Sequence, residues 1–264
     1  MGTKKHTYDV LIDWLEFTIN NMSLPLICKG MNIEYDKLVR YETGFFEYDV
    51  TYVYGEKIKF LLKSVEHDLS NSNISILNDD PKRMGVHIVL SGYACREIEN
   101  IIPWHELLLF VFENANMVSR IDIAFDLFSD RLINLPRIKK YLKNGCIVSH
   151  AKKGLNTEER ELITGSIVGH SVKIGSSSSE IMVMIYNKLQ ERNSANYVVS
   201  DEINAWNRIE LRLRKDKAKE FLKYLFMFEY DVPGVALSIL NGYVSFKKLQ
   251  RYQTDTNRSR WLNV

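Results

Sequence analysis

The sequence has few cysteines and no long apolar run. Its three cysteines, Cys28, Cys95 and Cys146, are scattered and odd in number, which excludes a disulfide framework and a cysteine metal site. The longest apolar run, residues 107–112, is far shorter than the ~20 residues of a membrane-spanning helix. The first residues, MGTKKHTYDV, contain no apolar signal core, so we expect a cytoplasmic protein that does not act at a membrane.

Closely spaced histidines are also missing. The six histidines include no pair at the spacing of a metal-binding motif. His87 lies in a predicted strand, where it is either a single metal ligand or, more commonly for such a position, a structural residue. A metal centre built on histidine is therefore disfavoured.

The length and charge of the chain indicate an ordinary globular protein with a basic C-terminal segment. Its 264 residues are enough for one large domain or two modest ones, and a charged fraction of 26% is ordinary for a globular protein. The net charge is only +2, yet residues 207–264 hold twelve Lys or Arg against six Asp or Glu. This basic segment indicates either a polyanionic partner or a lysine-rich helix face exposed to solvent.

Alternating apolar and polar residues predict several β-strands. They are residues 8–20, two strands within 43–64 joined at Gly55, and then 84–92, 119–128, 172–174, 181–188 and 206–214. Helices are predicted at 103–116, 135–143, 216–228 and from about 233, and a charged loop is predicted at 152–160. This order of elements predicts an α+β fold, a curved antiparallel β-sheet with helices packed on one face and the other face open.

The segment VKIGSSSSEIMVMIYNK, residues 172–188, predicts a β-hairpin that turns at Gly175 and a run of serines. Side chains alternate along a strand. Ile181, Val183 and Ile185 therefore share one face of the return strand, and Met182, Met184, Tyr186 and Lys188 share the other. Tyr186 either packs its ring on the sheet, as strand tyrosines commonly do, or acts as a nucleophile.

Three predicted strands pair an apolar face with a face that carries ionisable side chains. These side chains are Asp122, Asp126, Tyr186, Lys188 and Glu210. The face is either a solvated surface with charge pairs across strands, or a site where carboxylates bind Mg²⁺ or Mn²⁺ beside a tyrosine that attacks phosphorus. A tyrosine with a pKa of about 10 needs help to react at neutral pH. The help comes from a cation, from Lys188, or from Asp122 or Glu210 as proton acceptor.

Three segments in this order, RIDIAFD, IGSSSSEIMVMIYNKLQER and NRIELRLR, resemble the Rep_trans family of plasmid rolling-circle replication initiators. Relaxases of conjugative elements share these motifs. The segments IDWLEFTI, MGVHIVLSG and REIE fit the same family, and the ordered combination is more specific than any one motif. The resemblance extends from about Asp13 to Trp261. No His-hydrophobic-His motif is present, which excludes the better-known metal-histidine class of rolling-circle nucleases. Relatives are expected to continue beyond the NRSRW segment.

The resemblance implies a function. Members of the family bind the double-strand origin of a plasmid, nick one strand and keep a 5′-phosphotyrosine link, which starts rolling-circle replication. Tyr186 matches their nucleophile, with Lys188 near it. Asp122 and Glu210 match their acidic metal-binding positions, and Asp126 is a further predicted ligand of Mg²⁺ or Mn²⁺. The implied partners are origin DNA, a second copy of the chain in a homodimer, and a superfamily 1 helicase of the host.

In the family, origin specificity lies towards the C-terminus, in agreement with the basic charge there. We therefore expect a catalytic nicking part at residues 1–206, continued by the strand with Glu210, and a basic DNA-binding part at 207–264, within one compact unit. The residues predicted to contact DNA are Arg208, Arg212, Arg214, Lys215, Lys247, Lys248, Arg251, Arg258 and Arg260.

Alternatives to this function and to this nucleophile stay open. The protein could be the relaxase of an integrative conjugative element, although the lack of an added N-terminal domain favours replication. It could also bind an origin without catalysis. Tyr197 is the alternative nucleophile, but it follows a polar run outside a clear strand and would be held less rigidly.

Overall fold

The computed structural model describes residues 8–42, 50–55, 58–62, 85–195, 197–247 and 258–259. Three predicted DNA contacts, Lys248, Arg251 and Arg260, lie outside these ranges. Arg258 is described through its backbone alone.

The described residues form thirteen strands and seven helices. The strands are β1 (Tyr8–Ile19), β2 (Val39–Glu42), β3 (Val50–Tyr54), β4 (Ile58–Leu62), β5 (Val86–Leu90), β6 (Met117–Leu127), β7 (Ile147–Ser149), β8 (Gly154–Arg160), β9 (Ile167–Ile174), β10 (Ile181–Asn187), β11 (Asn207–Arg214), β12 (Val244–Lys247) and β13 (Arg258–Ser259). The helices are α1 (Leu24–Gly30), α2 (Gly92–Ile98), α3 (Trp104–Asn114), α4 (Leu135–Lys143), α5 (Lys188–Ser194), α6 (Asp216–Met227) and α7 (Val232–Tyr243). None of these helices has the length and apolarity that crossing a lipid bilayer requires.

Ten of the strands hydrogen-bond into one open sheet, in the order β2-β3-β4-β5-β1-β6-β11-β10-β9-β8. A second sheet of three strands has the order β13-β12-β7. Strands form where the expected alternation is present: β5, with the sequence VHIVL, buries every second residue. A large antiparallel sheet combined with helices confirms the predicted α+β fold.

The predicted loop at residues 152–160 is wrong, because most of this segment forms β8. β8 pairs antiparallel with β9, and all seven of its residues are exposed. Its sequence, GLNTEER, lacks the apolar alternation that identifies a half-buried strand. Hydrogen bonds to β9, rather than burial of an apolar face, form this strand.

The sequence predicts where a helix begins better than it predicts which of its faces are buried. α4 begins after Asn134, whose Oδ1 accepts a hydrogen bond of 3.0 Å from the backbone N–H of Arg137. α3 is predicted to be buried because it is apolar nearly all round. It buries Leu107 and neighbouring residues on one side only, since Leu109 and Phe112 are each 41% exposed.

The chain divides into two compact units. The first unit contains the described residues of Met1–Leu11, Ile123–Arg212 and Asp231–Val264. The second unit contains those of Ile12–Asp122 and Leu213–Tyr230. These boundaries differ from the expected division at residue 206. That division separated a nicking part from a DNA-binding part, and it stays a prediction.

In the second unit, His87 contacts two side chains of β1. Its Nδ1 lies 2.8 Å from Thr18 Oγ1, and its Nε2 lies 3.0 Å from Glu16 Oε1. The indole N–H of Trp14 donates to the other oxygen of Glu16 at 3.2 Å. The hydrogen bond with His87 lowers the pKa of Glu16 below its usual value, although burial acts in the opposite direction. This network agrees with the structural interpretation of His87.

Glu16 is expected to contribute stability that depends on pH. Because its folded pKa lies below its unfolded pKa, the contribution is present above the unfolded pKa and is lost as the pH falls through the folded pKa. We expect Glu16→Gln to lower the free energy of unfolding at neutral pH by about 1 kcal/mol and to weaken its decline in acid. Urea unfolding from neutral pH to about pH 3 measures both effects. Glu113→Gln, at an exposed position, is the control. Equal acid sensitivity of Glu16→Gln and the parent protein would contradict the prediction.

Candidate active site

The predicted hairpin is present in the first unit and places Tyr186 on β10. β10 pairs antiparallel with β9, and Tyr186 lies opposite Ser171. Gly175 has a φ of 97°, a left-handed conformation that favours glycine. A Cβ at this position would lie 3.0 Å from the Tyr243 hydroxyl and 3.1 Å from the Ile181 carbonyl oxygen. The turn therefore depends on the glycine that marks it in the sequence.

The Tyr186 hydroxyl lies against a carboxylate. It donates a hydrogen bond of 2.6 Å to Oε1 of Glu210, on the adjacent strand β11. Both side chains line a cleft with a volume of about 500 Å³. The other polar residues of this cleft are Thr157, Glu159, His170, Ser171, Asn187, Glu191 and Ser194. A hydroxyl and a proton acceptor are thus within hydrogen-bonding distance in a space of the size that binds small ligands.

The protonated form of the Tyr186 hydroxyl is favoured in the free protein. Burial raises the pKa of Tyr186 far above its usual value, and the charge of Glu210 raises it further, whereas Arg208 acts in the opposite direction. A phenolate formed before the reaction is therefore strongly disfavoured at neutral pH. If Tyr186 attacks a phosphate, its proton has to leave during the attack, and Glu210 is the acceptor at the required distance.

Asp126 and Arg208 form a buried ion pair, so the first of the two interpretations of this polar face, a solvated surface, is wrong for these two residues. Nε and Nη2 of Arg208 lie 2.7 Å from the two oxygens of Asp126. The indole N–H of Trp206 donates to the same carboxylate at 2.7 Å. The side chains of Arg208 and Asp126 are only 5% and 4% exposed. Alternation along the strand identifies residues that share a face, but tertiary contacts decide whether that face is covered.

Asp122, in the second unit, is buried as well, with 2% exposure. Its carboxylate accepts hydrogen bonds from Nε of Arg120, at 2.8 Å, and from Nη2 of the same residue. The Arg120 guanidinium also lies over the ring of Trp14, 4.1 Å from the centroid. The charge of Asp122 is therefore balanced within the second unit, and its role as a metal ligand stays a prediction.

The three predicted metal ligands do not fit a divalent cation as they are arranged. Both oxygens of Asp126 are bound by Arg208. Both oxygens of Asp122 are bound by Arg120. Mg²⁺ demands near-octahedral oxygen coordination, so these ion pairs would have to break first. Within the described ranges, no group of three or more His, Cys, Asp or Glu side chains could hold a metal ion. Of the three predicted ligands, Glu210 is the one that lines the cleft.

Lys188 is the first residue of α5. Its predicted place on the same strand face as Tyr186 is therefore wrong. The Asn187 side chain caps this helix by accepting a hydrogen bond of 2.8 Å from the backbone N–H of Gln190. Nζ of Lys188 lies 5.5 Å from the centroid of the Tyr186 ring and 2.5 Å from Oε2 of Glu191. The ammonium is thus close to the phenol and paired with Glu191, and a catalytic role for Lys188 stays a prediction.

The predicted DNA contacts differ in their exposure. Arg208 is held by Asp126 inside the first unit, so it is not placed at the surface, where a DNA phosphate would approach. The other members with described side chains are exposed or partly exposed, namely Arg212, Arg214, Lys215 and Lys247. A contact of these four with DNA stays a prediction.

Sequence reasoning did not identify several residues of the cleft. Glu159 and His170 lie on β8 and β9, and their place in the cleft depends on the pairing of β8, which has no local sequence signal. Glu191 reaches the cleft from α5. Trp206 does not line the cleft, but its hydrogen bond to Asp126 was also not expected, although a large aromatic residue beside an ionisable strand face is a usable signal.

The alternative nucleophile, Tyr197, has different surroundings. It is 44% exposed, and its ring lies 4.7 Å from the guanidinium carbon of Arg192. It is not among the described residues that line the cleft. The geometry therefore favours Tyr186.

Comparison with known proteins gives consistent results. A family model described as Replication initiation factor matches residues 116–264. A second model, described as Rolling Circle replication initiation protein N-terminal domain, matches residues 59–112. NicK, a candidate DNA relaxase of Bacillus subtilis (strain 168), is 23% identical over 242 residues, which cover 89% of this chain and 64% of NicK.

A solved structure has the same fold. The rolling circle replication initiator protein from Geobacillus stearothermophilus matches 96% of this chain and 93% of its own, with a TM-score of 0.77 and 19% identity. The Replication initiation factor model alone spans more than half of the chain. This chain therefore belongs to the Replication initiation factor family.

Proposed function

We propose that the protein binds plasmid origin DNA and nicks one strand through attack of Tyr186 on a backbone phosphate. The resulting 5′-phosphotyrosine link starts rolling-circle replication. The observation that carries this proposal is the 2.6 Å hydrogen bond from Tyr186 to Glu210 inside the cleft. Membership of a family described as replication initiation factors supports it.

The proposed step exchanges one phosphorus–oxygen bond for another. Oη of Tyr186 forms a bond to phosphorus while the bond from phosphorus to the 3′ oxygen breaks. The phenol proton moves to Glu210, and the departing 3′ oxygen takes up a proton and becomes the hydroxyl that primes synthesis. Attack of a 3′ hydroxyl on the phosphotyrosine reverses the step and closes the strand.

Mass spectrometry of the covalent adduct tests this reaction. The protein is incubated with negatively supercoiled plasmid into which the DNA around its gene has been cloned, and the adduct is digested. We expect a peptide in which Tyr186 carries a 5′-phosphorylated nucleotide. An adduct on Tyr197, or on a 3′ phosphate, would overturn the assignment.

The cleft is acidic, which favours a cation as cofactor. Glu159, Glu191 and Glu210 line the cleft, so an entering phosphate meets like charges unless positive charge accompanies it. The nearby ammonium of Lys188 lies 2.5 Å from Glu191. On this ground Mg²⁺ or Mn²⁺ stays our proposed cofactor.

Removal of divalent cations is expected to reduce nicking by about 100-fold, because the phosphate charge in an acidic cleft is then uncompensated. The measurement is conversion of supercoiled plasmid to open circle after EDTA treatment, with Mg²⁺ or Mn²⁺ added back. Mn²⁺ binding by the complex of Tyr186→Phe with the DNA substrate, followed by electron paramagnetic resonance, gives a second readout. Undiminished nicking in EDTA would contradict the proposed cofactor.

Glu210→Gln is expected to slow adduct formation by about 10²- to 10⁴-fold, because the amide keeps the size of the side chain but cannot take the phenol proton. The rate is measured with a single-stranded oligonucleotide that spans the mapped nick. Glu220→Gln, which lies in an exposed pair with Lys217, is the control. A loss no larger than that of the control would exclude Glu210 as the proton acceptor.

A second candidate function is that of a relaxase of an integrative conjugative element, with the same chemistry serving DNA transfer. The similarity to NicK favours it, although the chain spans 64% of the length of NicK. Comparing plasmid maintenance with conjugative transfer of a plasmid that carries the nick site separates the two. A non-catalytic origin-binding protein is the third candidate, and it would keep all its activity in Tyr186→Phe.

The proposed partners follow from the same function. They are the double-strand origin, a second copy of the chain in a homodimer, and a superfamily 1 helicase of the host. Exposed basic side chains in the C-terminal part, such as Lys215 and Lys247, support contact with DNA phosphates.

A further inference from the structure

We propose that the tip of the β8–β9 hairpin is an apolar wedge that opens duplex DNA beside the nick and so delivers a single strand to Tyr186. This inference rests on the proposed nicking function. The turn between the two strands consists of residues 161–166, which we call the tip. Leu162 and Ile163, in this tip, are 100% and 93% exposed, the position at which polar residues are usual.

The tip is an ordered turn. The backbone N–H of Glu161 donates to the carbonyl of Ser166, and that of Gly165 donates to the carbonyl of Glu161, both at 2.9 Å. The Thr164 hydroxyl donates to the Glu161 carboxylate at 2.5 Å, and Nη1 of Arg160 donates to the Gly165 carbonyl at 2.9 Å. Gly165 has a φ of 70°. These hydrogen bonds fix the turn, and the two apolar side chains are exposed to solvent.

The base of the same hairpin belongs to the cleft of Tyr186. Its residues in the cleft wall are Thr157, Glu159, Val168, Gly169, His170 and Ser171. Helix α5, which begins two residues after Tyr186, braces the hairpin. Nε2 of Gln190 donates to the Ile167 carbonyl at 2.6 Å, and the Ser194 hydroxyl donates to the Val168 carbonyl at 2.8 Å. The tip is therefore held at a set distance from the nucleophile.

Strand register gives an approximate value for this distance. Tyr186 lies opposite Ser171, and β9 begins at Ile167, four residues away. At ~3.3 Å per residue, the tip begins about 13 Å from the tyrosine along the strand. Because a duplex strand advances ~3.4 Å per nucleotide, DNA that runs along the hairpin would meet the tip at least about four nucleotides from the scissile phosphate.

The two side chains have the chemistry that this task requires. Leucine and isoleucine are among the apolar residues that proteins insert between base steps, where they unstack the bases. The cleft, at about 500 Å³, has the volume of a small-ligand site and suits a single strand. A wedge a few nucleotides away would supply that strand from a duplex.

The test compares Leu162→Ser/Ile163→Ser with the matched control Val198→Ser, which replaces another fully exposed apolar side chain outside the tip. Each protein is assayed on linear duplex DNA containing the mapped nick site and on a single-stranded oligonucleotide of the same sequence. We expect the double variant to lose about tenfold or more of its duplex nicking, because unstacking is no longer assisted. Its cleavage of the oligonucleotide should equal that of the parent, and Val198→Ser should match the parent on both substrates.

A fluorescence measurement gives an independent readout of opening. 2-Aminopurine is placed at successive positions on both sides of the nick, and Tyr186→Phe is added so that no cleavage occurs. Fluorescence should rise at least about four nucleotides from the nick, and the rise should disappear when the tip substitutions are added.

The outcomes separate the wedge from the nicking function. Duplex nicking by the double variant at the parent rate overturns the wedge, and so does an equal loss on duplex and oligonucleotide. A change of oligomeric mass in light scattering, with duplex nicking intact, would assign the tip to a protein interface instead. Cleavage of the oligonucleotide by Tyr186→Phe at the parent rate overturns the nicking proposal itself.

Discussion

Tyr186→Phe is expected to lower nicking by about 10⁴-fold or more, because it removes the proposed nucleophile. Phenylalanine keeps the ring and loses only the hydroxyl that donates to Glu210. The measurement is conversion of supercoiled plasmid to open circle, together with formation of the covalent adduct on a denaturing gel. Both products should disappear together.

Two controls show that the loss is chemical. Tyr197→Phe removes the hydroxyl of the alternative nucleophile and should nick at the parent rate. Tyr186→Phe itself should still bind origin DNA, and its free energy of unfolding should change by about 1 kcal/mol, as for the loss of one hydrogen bond. Nicking by Tyr186→Phe at the parent rate would assign the chemistry to another residue.

Arg208→Ala is expected to lower the free energy of unfolding by about 3–5 kcal/mol. The substitution removes the bidentate guanidinium from the carboxylate of Asp126, which is 4% exposed. The indole N–H of Trp206 still donates to this carboxylate at 2.7 Å, but one hydrogen bond does not balance a buried charge. Urea unfolding followed by circular dichroism measures the difference.

Further variants identify the cause of this effect. Asp126→Leu/Arg208→Met removes both charges and should recover much of the loss, because no unpaired buried charge remains. Arg131→Ala, at an exposed position, should change stability by less than about 0.5 kcal/mol. If Arg208 were a surface contact to DNA, Arg208→Ala would weaken DNA binding and leave the stability unchanged.

Local signals in the sequence account for much of the fold. The hairpin turn forms at Gly175 because its φ of 97° requires glycine, and α4 begins at Asn134 because its side chain caps the helix. β8 carried no such signal. Its seven exposed residues are held by pairing with β9, which a pattern of burial cannot reveal.

The environment of the site is where sequence reasoning was least successful. Alternation correctly places Asp126 among the ionisable residues of its strand, but it left a solvated face and a metal site as alternatives, whereas the structure has a buried ion pair with Arg208. Lys188 keeps its proximity to Tyr186 from the start of a helix instead of from the strand. In each case the residue was identified and its surroundings were not.

The amino-acid sequence by itself determined the antiparallel α+β architecture and the hairpin, since strand periodicity and turn chemistry are properties of short segments. Periodicity left the role of Tyr186 open, and the resemblance to a known family is what indicated it as the candidate nucleophile. Tertiary structure decided which groups meet. Tyr186 and Glu210 are 24 residues apart, and Asp126 and Arg208 are 82 apart. Such contacts depend on which strands become neighbours and on what covers them, and a segment of sequence does not encode either. The same reason explains why the exposed tip of β8 and β9 became visible only in the structure.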